Sequence, residues 1–113
     1  GAMLTLLQEA RIQMLKHNGW SEMDIEGSSI IMSDAVVIYK SEAFYGDVLV
    51  IEVAVTEIVG AGCDFLYRVT NKASGKEVAR AKTGIAFFDY STRKIVGVPD
   101  CFRRKFEQVF GFP

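Results

Sequence analysis

The stretch MLTLLQEARIQMLK, Met3 to Lys16, decides how the rest of the chain is read. Met3, Leu6, Leu7, Ala10 and Met14 recur at spacings of three and four, which marks one apolar stripe of an α-helix. Leu4, Ile12 and Leu15 widen that stripe and leave Gln8 and Arg11 as a narrow polar face. A helix apolar over most of its circumference is expected to be enclosed rather than laid on a surface. His17-Asn18-Gly19 then supplies a cation and a left-handed stop.

Beyond the helix the chain reads as extended. Trp20 to Gly27 is a connection, with a helical turn at SEMD. SSIIMSDAVVIYKSEAF, residues 28–44, is rich in β-branched residues, and Ser33-Asp34 marks a bend or bulge inside it. YGDVLVIEVAVTEI, residues 45–58, opens on a turn and becomes a strand, with Leu49, Ile51, Val53 and Val55 on one face and Glu52 and Thr56 on the other. Asp47 is expected to hold that turn by accepting hydrogen bonds, and Gly46 to lend it backbone freedom. Phe65, Tyr67 and Val69 alternate in the next strand, NKASGK makes a hairpin turn, and EVARAKTGIAFFD, residues 77–89, is long enough to need curvature or a bulge. IVGVP continues the sheet, and DCFRRKFEQVF, residues 100–110, reads as a terminal helix capped by Asp100. One greasy helix before a series of hairpin-connected strands gives an α+β fold: a curved antiparallel sheet wrapped around a central helix.

The bulk properties fit a single domain over residues 1–113. Half of the residues are hydrophobic, 24% are charged and the net charge is −1, so a core can be buried and no basic excess points to nucleic acid. No apolar run reaches the length of a membrane span. The two cysteines, Cys63 and Cys101, lie far apart with no neighbouring His, which argues against zinc and for reduced thiols in the cytoplasm.

Three segments carry a resemblance. LLQEARIQMLKHNG, with its Glu9-Ala10-Arg11 triplet, is similar to the central helix of the hotdog-fold acyl-CoA thioesterases, in the 4-hydroxybenzoyl-CoA thioesterase-like group. YGDVLVIEVAV resembles their turn and following strand, and GKEVARAKTGIAFFDYSTRKIVGVP their penultimate strand and closing proline. The resemblance implies a hydrolase that splits an acyl-CoA or acyl-carrier-protein thioester. It implies no cofactor other than coenzyme A as part of the substrate, and a homodimer or a tetramer of dimers. It also implies a strand ahead of the helix and a catalytic carboxylate in that segment. This sequence begins at the helix: either the usual first strand and the usual acid lie upstream of residue 1, or the chain is a divergent member of the group.

Thioester hydrolysis needs a base or carboxylate nucleophile and donors for the oxyanion. The unpaired amides at the helix start supply such donors, so Met3 and Leu4 are expected to line the substrate site. Glu9 is the carboxylate on that helix and the candidate base, against a structural reading in which it pairs with a backbone amide or Arg11. Arg68, Arg80 and Lys82 are candidates for the phosphates of coenzyme A, Arg80 and Lys82 sharing one strand face; an ordinary solvated face is the alternative. Arg103-Arg104-Lys105 is a second basic cluster. Phe87, Phe88 and Tyr90 are candidates for an acyl pocket or for core. His17, at the helix end, reads as a cap, which speaks against a hydratase built on a His–acid pair. A non-catalytic acyl-binding or scaffolding module is the alternative to the enzyme.

Overall fold

The computed structural model describes residues 2–107. Helix α1, Ala2–His17, is followed by strands β1 (Ser29–Tyr39), β2 (Leu49–Val59), β3 (Gly62–Asn71), β4 (Glu77–Asp89) and the two-residue β5 (Lys94–Ile95), then helix α2 (Asp100–Phe106). The five strands form one antiparallel sheet in the order β1-β4-β3-β2, with β5 paired to β4. Among the described residues, β1 and β2 are therefore its open edges. This is the hotdog arrangement that the sequence implies.

The end of α1 obeys the expected chemistry. Gly19 takes φ +80°, the Trp20 amide donates to the Leu15 carbonyl at 2.9 Å, and the Gly19 amide donates to Lys16 at 3.0 Å. That pair of bonds closes a helix end through a left-handed residue. SEMD is not helical: Ser21 and Asp24 bridge each other across a tight turn, and Ile25 and Ser28 form a second one. The Ser21 hydroxyl accepts from the Asp24 amide, which draws the backbone into a turn instead of a helix.

Alternation in the strands sets the two faces of the sheet. Phe65, Tyr67 and Val69 of β3, Ala79, Ala81, Ile85 and Phe87 of β4, and Val55 of β2 are buried on the face that α1 covers. The irregularity expected at Ser33-Asp34 is present, and a second one in β2 joins it without any expectation behind it. The register of β1 against β4 shifts between Met32 and Asp34, and that of β2 against β3 shifts between Thr56 and Val59, where Glu57 takes φ +53°. α2 closes one end of the core, Phe102 stacking on Phe65 and meeting Phe87 edge-on. Asp100 is the first residue of α2 rather than its cap: Pro99 holds the cap position, with no side-chain bond to the helix amides. The part of the expected terminal helix at residues 108–110 lies outside the described residues.

The enclosure of α1 needs correction. Its buried stripe is Leu7, Arg11 and Leu15, each four residues from the next, while Leu4 and Leu6 are 38% and 41% exposed. A single sheet reaches around only one side of a helix, so the outer flank of α1 stays open in the lone chain. The polar face expected at Arg11 points inward instead.

Candidate active site

Arg11 is buried because two partners wait for it. Its Nε donates to Glu22 at 2.9 Å and its Nη1 to the Tyr67 hydroxyl at 2.9 Å. The Tyr67 hydroxyl in turn shares a 2.7 Å hydrogen bond with Thr83. Burial works to lower the pKa of the guanidinium, but Tyr67 and Glu22 outweigh it and the net direction is up. The network ties α1, the loop after it, β3 and β4 into one unit. Buried polar groups joined in this way fix relative orientation, since each loses its partner if an element shifts.

The start of α1 lies between two open clefts. One, of about 540 Å³, is bordered by Met3, Tyr39, Lys40, Ser41, Glu42 and Val78. The other, of about 350 Å³, is bordered by Leu4, Gln8, Arg11, Glu22, Met32 and Thr83 among others. Met3 thus borders one cleft and Leu4 the other. Ser41 is not a free nucleophile, because its hydroxyl donates to the Glu77 carbonyl at 2.7 Å.

Glu9 lies apart from both clefts. It sits on the exposed flank and accepts from Gln13 one turn on, at 3.1 Å, not from Arg11 or a backbone amide. The apolar surroundings that would tune an acid are therefore missing around it in the single chain. Glu42 is the carboxylate that borders the Met3 cleft, and no helical or strand motif marked it in the sequence. Asp47 keeps the expected turn: its carboxylate accepts from the Phe44 amide at 2.8 Å, its own amide donates back to Phe44, and Gly46 takes φ +93°. That left-handed third position of the turn is what requires glycine.

Arg68, Arg80 and Lys82 come together, but on the far face of the sheet. Arg68 makes a two-pronged bond to Glu52, at 2.8 and 2.9 Å, and Arg80 donates to Glu77. These bonds hold both carboxylates below their ordinary pKa, the arginine hydrogen bond being the main cause in each case. Arg80 and Lys82 border a groove of about 420 Å³ with Val36, Ile38, Lys40 and Leu66. Lys40 borders both this groove and the Met3 cleft, so the two meet at the end of β1. Phe87 is core, Phe88 and Tyr90 meet edge-on with centroids 4.9 Å apart, and the cation cluster of α2 sends Arg103 to the Ile58 carbonyl at 3.4 Å.

A hotdog sheet with open clefts at its helix start defines a class of thioester-handling proteins, and the comparisons agree. The Thioesterase-like superfamily matches residues 1–106, and the chain belongs to that family. The 1,4-dihydroxy-2-naphthoyl-CoA thioesterase from Synechocystis is similar in structure, with a TM-score of 0.82 and 19% identity over 95% of this chain and 80% of that one. YbaW, a probable thioesterase from Escherichia coli, gives a TM-score of 0.77 and 23% identity over 91% and 78%. A gentisyl-coenzyme A thioesterase gives 0.79 and 13% over 95% and 84%. No curated protein matches the chain.

Proposed function

We propose that the chain is a thioester hydrolase that converts an acyl-CoA and water to the free acid and coenzyme A. The observation that carries this is the match of the thioesterase-like family over residues 1–106, on a fold whose helix start borders two open clefts. The thioester carbonyl lies against the first amides of α1, where the helix end favours developing negative charge. Water adds to the carbonyl carbon as a carboxylate takes its proton. The tetrahedral species then expels the thiolate, which recovers a proton. Glu42, bordering the cleft, replaces Glu9 as the first carboxylate to examine within these residues. An acid ahead of residue 1 is the alternative that the family resemblance raises.

The surfaces support two further parts of the reading. The open edge of β1 carries exposed Met32, Val36, Ile38 and Tyr39, and a long bare apolar edge is a template for another strand. A homodimer joined along β1 removes it, and a second pairing covers the open flank of α1 at Leu4 and Leu6. The free thiols at Cys63 and Cys101 fit a cytoplasmic setting, and no helix among the described residues is long and apolar enough to cross a membrane.

The test is thiol release from a panel of aromatic and aliphatic acyl-CoA esters, with light scattering to give the mass in solution. Turnover with at least one ester is expected. Its absence across the panel, for a correctly folded dimer, overturns the reading. Glu42→Gln is expected to cut kcat by about 10²–10⁴ while Glu9→Gln leaves it unchanged. Full activity of Glu42→Gln moves the base out of this cleft.

A further inference from the structure

The cleft beside Leu4 has a floor made of hydrogen-bond donors. Arg11 and Thr83 both border it, although they are only 5% and 1% exposed. Two nitrogens of Arg11 are taken, Nε by Glu22 and Nη1 by the Tyr67 hydroxyl. Its second terminal nitrogen has no acceptor among the described residues. Among those residues no buried side-chain nitrogen or oxygen lacks a partner, so this nitrogen is not sealed in the core: it opens onto the cleft. Tyr67 has one proton to give, and among the described residues Thr83 is its one acceptor. Tyr67 therefore donates to Thr83, and the Thr83 hydroxyl keeps its own hydrogen for the cleft. A buried donor gains most from an acceptor that follows it out of water. The walls are different in kind: Leu4, Leu7 and Met32 border the cleft, and no aromatic residue among the described ones does.

We infer that this cleft takes the acyl half of the substrate, and that Arg11 and Thr83 select an aliphatic acyl chain carrying a neutral oxygen, a ketone or a hydroxyl, part-way along it. The donors ask for an oxygen, and the aliphatic walls offer no ring for an aryl group to stack on. Neutrality follows from Glu22, which borders the same cleft and already balances the Arg11 charge, so an anionic chain end is repelled. The acyl half fits here because the Arg11–Glu22 bridge stands at the end away from the helix start, whereas the Met3 cleft runs on into the groove at Lys40 and suits a longer arm. Arg11 lies two turns beyond Leu4, about 10 Å along the helix axis. Helix side chains lean back toward the N-terminus, by roughly a turn for a long arginine, which leaves about 5 Å between the thioester carbon and the selected oxygen. A homodimer joined along β1 roofs the cleft at Met32 and competes for neither donor, since both are buried in the single chain. The inference rests on the thioesterase reading above and narrows its substrate.

Thioether analogues, which cannot be cleaved, test it by calorimetric titration of the full chain. Coenzyme A carries in turn a hexyl chain with a ketone at its fifth carbon, the same chain with a methylene there, the same chain ending in a carboxylate, and a hydroxybenzyl group. The ketone is expected to bind about 10–100-fold more tightly than the methylene, because a site built to hydrogen-bond an oxygen rejects the analogue that lacks it. Thr83→Val is expected to cut that ratio at least several-fold, and Thr83→Ser, which restores the hydroxyl, to keep it. Both ligands meet the same fold, so a loss of stability alone leaves their ratio where it was. Equal affinity for ketone and methylene overturns the inference, and is also what a side chain of a second copy seated in the cleft would give. Tighter binding of the carboxylate or the hydroxybenzyl analogue overturns it as well, as does an unchanged ratio in Thr83→Val. Failure of the function reading looks different: the ketone is preferred and Thr83→Val erodes the preference, yet no thioester, the ketone-bearing one included, is cleaved.

Discussion

Tyr67→Phe removes one oxygen and leaves two buried partners without it. The tyrosine is fully buried, Thr83 is 1% exposed and Arg11 is 5% exposed. The lost hydroxyl accepts from Arg11 at 2.9 Å and shares a 2.7 Å bond with Thr83. A buried group stripped of its partner costs about 1–3 kcal/mol, and more when it is charged. Thr83 recovers part of this by turning its hydroxyl, and Arg11 borders a cleft that admits water, so the loss is placed at about 2–3 kcal/mol. In a domain of this size that lowers the thermal midpoint by roughly 10 °C. Urea unfolding is the assay, with the slope required to stay the same so that the midpoint reports stability alone. Adding Arg11→Met to Tyr67→Phe removes the stranded cation, while Glu22, at the surface end of the pair, returns to water. The double variant is therefore expected to cost less than the sum of the two single ones. A Tyr67→Phe loss below about 0.5 kcal/mol, or strict additivity in the double variant, would refute the view that Arg11 is held inside by this network.

Other outcomes rest on single contacts. Gly62→Ala would set a methyl carbon 2.5 Å from the Ile85 carbonyl oxygen, a backbone atom fixed in the β3–β4 ladder, and is expected to cost about 1–3 kcal/mol in urea; a neutral result would show that the ladder yields. Burial, with the Asp64 charge adding to it, pushes the Cys63 thiol up to about 12, whereas Cys101 is exposed. A disulfide reagent at neutral pH should therefore modify Cys101 alone until the chain unfolds, and mass spectrometry locating the label on Cys63 in native protein contradicts this. Glu52, Glu77 and Asp89 are all held below their ordinary pKa, by Arg68, Arg80 and the Ser91 hydroxyl respectively. The native state thus holds these protons less tightly than the unfolded chain. Their contribution is complete above the ordinary carboxylate pKa and drains away as pH falls through the lower native values, so urea midpoints should drop below about pH 4. Replacing Glu52 and Glu77 by Gln should flatten that acid limb, and an unaltered limb would assign it to other groups.

Much of the fold is legible in the sequence because it rests on short-range periodicity. The stop at His17-Asn18-Gly19, the span of β4, the bulge at Ser33-Asp34 and the turn at Asp47 each depend on residues within a few positions of one another. Arg11 escapes such a reading because its burial depends on Glu22, eleven residues on, and on Tyr67 in a distant strand. The spacing Leu7-Arg11-Leu15 holds the clue, since a cation flanked at four residues on each side by leucine shares their face. Alternation shows that Arg80 and Lys82 share a side of β4, but not that the helix start lies across the sheet from them. Glu42 carries no local signal at all: it enters the site only because the chain after β1 folds back past Met3.

Among the described residues the sheet has bare strands at both borders, and such borders carry a hazard, because copies could join one to the next without end and grow into a fibre. The two ladder breaks act against this. At Asp34 and at Glu57 the border strands bend out of a flat ribbon, and each bend carries a carboxylate on the strand that an incoming chain would have to match. Straight, repetitive stacking is thereby discouraged, while a closed pair that accommodates one bend against its twin is not. Removing the charge and straightening either border should therefore appear first as turbidity on storage, before any loss of secondary structure.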